Sequence, residues 1–213
     1  MSEQINEIAN VETGFNNVQS FEFTQRAASL LSKSTLVPKE FQGNLPNCVI
    51  ALNMASRMSA DPLMVMQNLY IVHGRPSFSS QFLISTFNSS GRFSALRYEW
   101  NEDRTSCRAW AIERATGEKL EGSWISLDMA KKEGWSTKAG SKWQTMPEQM
   151  LMYRAASFFV RTYAPELAMG MSTTEEIYDT TYQGDFVDVT PAPATSLETE
   201  FAQQEAGDAT QEG

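Results

Sequence analysis

Apolar residues at positions 23, 27, 30 and 31 recur on one helical face and predict a helix over Phe21–Lys33. A second helix is predicted over Leu45–Met58 (LPNCVIALNMASRM), with Pro46 tolerated in a first turn that lacks intrahelical amide partners anyway. Asp61 followed by Pro62 reads as an N-cap and a first-turn proline, so PLMVMQ opens a short third helix. The period then changes. Asn68–Val72 (NLYIV) reads as a strand turned at Gly74-Arg75-Pro76, and Ser79–Ser89 as a helix stopped by Gly91. Three strand-like runs follow at Phe93–Trp100, Thr105–Arg114 and Lys119–Ile125, the last two joined as a hairpin through Ala115-Thr116-Gly117. Ser126 and Asp128 start a helix through Lys132 that ends at Gly134. Thr145-Met-Pro-Glu148 reads as a capping box opening a helix to about Tyr163, closed by Pro165. Strands grouped in mid-chain, not alternating with helices, predict an α+β fold. No internal repeat is visible.

The chain has 213 residues, 41% hydrophobic and 11% aromatic, enough for one domain with a sizeable core and some appendages. No run of 18 apolar residues occurs, and the N-terminal MSEQINEIANVETG has neither a basic head nor an apolar signal core. A reducing cytoplasm is therefore the expected compartment. Cys48 and Cys107 stand 59 residues apart beside no partner ligand, which argues against a disulfide framework and a zinc site alike.

A net charge of −9 looks wrong for a protein that binds polyanions, until it is divided along the chain. Residues 172–213 hold ten acids, residues 1–20 three, and neither stretch has a Lys or Arg. Residues 21–171 hold all 17 bases against 13 acids, a mildly basic body. The acidic stretch from Ser172 is rich in Ser, Thr, Glu and Asp, carries Pro191-Ala-Pro193, and shows no helical apolar period. Such a segment buries too little surface to offset the entropy of ordering it, so 172–213 is expected to be a disordered tail. It serves solubility, docks a partner through Tyr178, Tyr182, Phe186 or Phe201, or competes internally for a basic groove. Residues 1–20 are expected to be a shorter flexible arm.

Several chemistries have no footing here. There is no GxxxxGK[ST] phosphate loop, no Gly-x-Ser-x-Gly elbow, and no acid two residues before a lysine. His73, the single histidine, reads as structural or surface, and Glu99, Glu102 and Asp103 as a solvated turn. No residue set recommends itself for catalysis, and no cofactor is expected.

Phosphate chemistry has better footing. On the predicted helix Pro147–Tyr163, Arg154 and Arg161 lie seven residues apart, so their guanidinium groups share one side, about 10.5 Å apart along the axis, with Ser157 between them. Leu151, Ala155, Phe158 and Phe159 repeat on the adjacent face and predict its burial. Upstream, MAKKEGWSTKAGSKWQTMPEQ places Lys131, Lys132, Lys138 and Lys142 among Trp135 and Trp143, with 135–144 expected as a loop. Ammonium groups suit phosphates and rings suit bases, at roughly 1–3 kcal/mol per stacked base. Each tryptophan taken singly reads first as core.

The segment SKWQTMPEQMLMYRAASFFVRTYAPEL resembles the signature of the RecT family of phage single-strand annealing proteins, with a more distant likeness to Redβ. In that signature a Trp precedes a helix carrying a Met, a basic residue, and another basic residue seven further on; Trp143, Met150, Arg154 and Arg161 fill those places. The likeness covers about 45–171, with DPLMVMQNLYIVHGRP resembling the helix entering the first strand hairpin and SCRAWAIERATGEKLEGSW the second hairpin. Three departures stand out: Gln81 at an often basic position, Met152 and Tyr153 at others, and a tail too short and polar to be the folded C-terminal domain of Redβ. The resemblance implies two hairpins packed by helices and a recombination mediator that binds single-stranded DNA and anneals complementary strands without ATP. It further implies a homo-oligomeric ring or helical filament, working with a phage exonuclease or a host single-strand binding protein, and away from membranes. Arg154 and Arg161 would contact phosphates, supported by Lys131, Lys132, Lys138 and Lys142, with Arg75 and Gln81 as outlying contacts and Trp143 behind the groove. Competing readings are a single-strand protection protein that does not anneal, a metal-dependent nuclease using Glu99 and Asp103, and a phage scaffold protein.

Overall fold

Short polar side chains open the N-terminal helices. Asn17 accepts the Ser20 amide at 2.8 Å to start α1 (Val18–Ser32), Asn44 the Asn47 amide at 3.1 Å to start α2 (Leu45–Met58), and Asp61 the Met64 amide at 2.9 Å to start α3 (Pro62–Asn68). Each cap satisfies a first-turn amide that has no intrahelical partner. The computed structural model describes residues 14–180 apart from His73. The expected arm over 1–20 is shortened by this: the Gly14 amide donates to Thr24 Oγ1 at 2.8 Å and Asn17 caps α1, so 14–20 belong to the folded body. Residues 1–13 and 181–213 lie outside the described residues.

After α3 the chain forms a hairpin of β1 (Leu69–Val72) and β2 (Arg75–Phe78), in register from Leu69↔Phe78 to Val72↔Arg75. Helix α4 (Ser80–Ser89) starts at the Ser79 cap. A second antiparallel sheet follows, of β3 (Arg97–Trp100), β4 (Ser106–Ile112), β5 (Lys119–Glu121) and β6 (Ile125–Ser126). Strand β4 is central, with β3 along one edge and β5 then β6 along the other. The chain ends its described part with α5 (Leu127–Lys132), α6 (Lys142–Thr145), α7 (Pro147–Tyr163), α8 (Pro165–Ala168) and α9 (Thr174–Thr180). The fold is α+β, as the grouping of strands predicted.

The long helix α7 sits closely on β4 because the inward face of the strand is small. Alternation along β4 turns Cys107, Ala109 and Ala111 inward, all buried, against Leu151, Ala155, Ala156 and Phe159 of α7. A Cβ on Gly122 would stand 3.1 Å from the Ala109 carbonyl oxygen and 3.3 Å from the Phe159 ring, so glycine there permits the close approach. A second apolar cluster joins α1, α2 and α3 through Ala28, Cys48, Leu52, Val65 and Met66. Helix α4 serves both, giving Phe82 to one cluster and Leu83 and Phe87 to the other.

Differences from the sequence pattern have local causes. The run predicted as one strand over Lys119–Ile125 is two short strands with Gly122 between them. The expected capping box at Thr145–Glu148 is not made: Thr145 ends α6, and Met146 precedes α7 without any side-chain cap. The tail expected to be disordered from 172 instead folds through α9, whose Glu176, Ile177 and Asp179 are buried.

Cys48 and Cys107 are unpaired and buried. Burial pushes the Cys107 thiol up to about 12 and raises that of Cys48 as well. Neither thiol is expected to react with an aromatic disulfide reagent at mildly alkaline pH until denaturant is added, because the thiolate is the reactive form. Rapid labelling of the native protein would contradict this packing.

Candidate nucleic-acid interface

The seven-residue spacing does bring Arg154 and Arg161 to one side of α7, and both reach the same acid. Arg154 Nη1 lies 3.5 Å from Glu176 Oε1, and Arg161 Nη2 donates to that oxygen. Arg154 Nη2 also donates to Asp179 Oδ2, which accepts the Trp143 indole N–H at 2.8 Å. The Arg154 guanidinium lies 3.9 Å from the centroid of the Trp135 ring, within cation–π range. Trp135 in turn packs on Trp143 with centroids 5.4 Å apart. This cluster is closed to water: Arg154 is 4% exposed and Glu176 6%, whereas Arg161 keeps 37%.

Both acids come from α9, and the helix is fastened along its length. Thr173 and Glu176 make a reciprocal capping box: the Thr173 amide donates to Glu176 Oε2 at 2.9 Å, and the Glu176 amide to Thr173 Oγ1 at 3.3 Å. Glu175 Oε2 accepts from the Ser80 amide at 3.1 Å and its hydroxyl at 2.6 Å, at the positive end of α4. Thr174 Oγ1 donates to the Phe78 carbonyl at 3.2 Å and lies 3.3 Å from Ser77 Oγ. At the other end of α9, Lys138 Nζ donates to the carbonyls of Tyr178 (2.9 Å) and Asp179, where a cation complements the helix terminus. Burial pushes the Asp179 carboxyl above its ordinary range, while the Trp143 N–H and the Arg154 guanidinium pull it down.

Four of the residues expected to bind DNA thus meet in one place: Arg154, Arg161, Lys138 and Trp143. Their presentation differs from expectation. Arg154 and Trp143 are buried, and the carboxylates of α9 occupy the arginines. The other expected contacts are not drawn into this cluster. Lys132 pairs with Asp128 at 2.7 Å on the surface of α5 beside the exposed Lys131, and Lys142 is exposed on α6. Arg75 is exposed at the start of β2. Gln81 is exposed on α4 and donates to Tyr153 Oη of α7 at 2.9 Å, tying together two of the positions where this chain departs from the RecT pattern.

Sequence reasoning missed Glu176, Asp179 and Thr173 as parts of this site, although Thr173-x-x-Glu176 is a capping-box signature. Ser157, between the two arginines, is 1% exposed and its hydroxyl has no hydrogen-bond partner. The opposite face of the sheet carries its own charged ladder. Arg108 bridges Glu99 (2.8 Å) and Glu121 (2.6 Å), so Glu99 is spent in an ion pair. Among the described residues no group of three or more His, Cys, Asp and Glu could hold a metal ion, and no helix is long and apolar enough to cross a membrane. The chain matches no protein-family model, and no curated protein matches it.

Proposed function

We propose that this chain binds single-stranded DNA and anneals complementary strands without ATP, in recombination of the phage type. One observation carries the reading beyond the RecT-like segment: Arg154, Arg161 and Lys138 converge on a strip of acceptor oxygens, the carboxylates of Glu176 and Asp179 and the last carbonyls of α9. A track that satisfies a row of carboxylates offers the same donors to a row of phosphates, since charge-assisted hydrogen bonds serve either anion. Lys131 and Lys142, outside that cluster, are exposed and add positive charge to the surface.

Annealing needs little more. The cations offset repulsion between two phosphate chains, the bases stay free, and Watson–Crick pairing supplies the driving free energy and the specificity. No bond is made or broken by the protein. Self-association into a ring or filament belongs to the same RecT-like reading. The same reading places the protein in the cytoplasm, with an exonuclease or a single-strand binding protein as its partner.

A fluorophore–quencher pair on two complementary oligonucleotides, at low salt and without ATP, tests this. The protein is expected to pair them faster than they pair alone. Slower pairing would indicate strand protection instead, cleavage with magnesium a nuclease, and failure to shift a labelled strand a protein with no nucleic-acid role.

A further inference from the structure

We propose that α9 is a displaceable acidic latch seated on a phosphate-binding row formed by Arg154, Ser157 and Arg161, and that single-stranded DNA binds by exchanging with it. This rests on the reading of the chain as a single-strand binder.

The row follows from helix geometry. Positions 154, 157 and 161 fall within about 60° of one another around the axis of α7, so two guanidinium groups and a hydroxyl share one strip. In the latched arrangement the hydroxyl is idle. A buried hydroxyl without a partner forfeits its hydration for nothing, and such a group calls for an explanation. As the middle donor to a phosphate chain, Ser157 has a role that the latched arrangement does not give it.

The way α9 is held supports exchange. Its attachments are mostly polar: Glu175 on Ser80, Glu176 on both arginines, Asp179 on Arg154 and Trp143, and Lys138 on its final carbonyls. Ile177 is its one large apolar side chain in the interior, while Tyr178 points to solvent. Phosphate oxygens can replace carboxylate oxygens partner for partner and charge for charge, whereas water accepts from Arg154, stacked on Trp135, without supplying a countercharge. The latch therefore stays shut in water and yields to a polyanion. The burial that makes Asp179 costly to keep charged is relieved when α9 leaves.

A disulfide lock tests this in the full-length protein. Ser77 Oγ and Thr174 Oγ1 are 3.3 Å apart, so Ser77→Cys with Thr174→Cys ties the start of α9 to β2, and the buried Cys48 and Cys107 do not compete. Oxidised protein, with the bond verified by mass, is expected to bind a labelled oligonucleotide at least about tenfold more weakly than the same protein reduced, because the competent state is withheld. Glu175→Ala, which frees α9 from α4 without touching an arginine, is expected to tighten binding. Equal affinity of the oxidised and reduced forms, or no gain from Glu175→Ala, overturns the latch and leaves the annealing reading standing. Absence of binding by every form, reduced and wild type included, overturns the annealing reading and the latch with it.

Discussion

Arg154→Ala is expected to lower folding stability by about 3–5 kcal/mol, the scale found when one member of a buried ion pair is removed. Its size comes from what remains behind. Asp179 stays buried without its guanidinium partner, Glu176 is left with Arg161 alone, and the face of Trp135 loses the guanidinium stacked on it. Lys132→Ala is the matched control. Its pair with Asp128 is exposed on both sides, and such pairs are worth about 0–1 kcal/mol. Urea unfolding of the two variants should separate them clearly. A loss for Arg154→Ala no larger than for Lys132→Ala would mean that the cluster is hydrated and open, against the burial seen here.

Salt is expected to act strongly on strand binding. If Arg154, Arg161, Lys138 and Lys142 each neutralise one phosphate, the log–log slope for a single strand is about −3, a loss of about 50-fold in affinity from 50 to 200 mM salt. Arg161→Ala, at the half-open end of the row, should reduce that slope by about one and weaken binding to all sequences alike. The exchange adds a term of its own, because salt also screens the hold of α9 on the arginines. Fluorescence anisotropy with homopolymeric and mixed strands over a salt series measures both quantities. An effect of Arg161→Ala confined to one sequence would point to base-edge readout and against a phosphate contact.

How much of this was legible beforehand depended on which force fixed each element. Helices α2 and α7 follow their apolar periods, and Ser126 and Asp61 cap α5 and α3 as their positions suggested, while Ser79, read as the first residue of a helix, is the cap of α4. The hydrophobic pattern also carried the α+β class and the shared side of Arg154 and Arg161. Two sites with the same local signature came out oppositely. Thr145-x-x-Glu148 has the capping-box spacing, yet Thr145 is drawn into α6 and Glu148 pairs with Arg104 at 3.1 Å. Thr173-x-x-Glu176 has it too, inside a segment dismissed on composition, and there the box forms. Composition failed for α9 because its stabilisation is not apolar burial: it comes from carboxylates meeting arginines, a lysine and a helix terminus contributed by residues up to 95 positions away in sequence. No local window contains those partners. The same blindness made Arg154 look like a surface cation, since helical spacing gives direction and says nothing of what covers it.

Glu176 holds two offices at once. It completes the end of its own helix through Thr173, and it is the shared counterion of Arg154 and Arg161. A stretch of seven residues is too short to stay helical in water by itself. Once its carboxylate is drawn off those arginines, the segment has little reason to remain wound, so departure unwinds it from its capped first turn, the end that a bond from residue 174 to β2 would hold in place. Coiling and covering are a single all-or-none event, and whatever unravels that turn bares the cations beneath it.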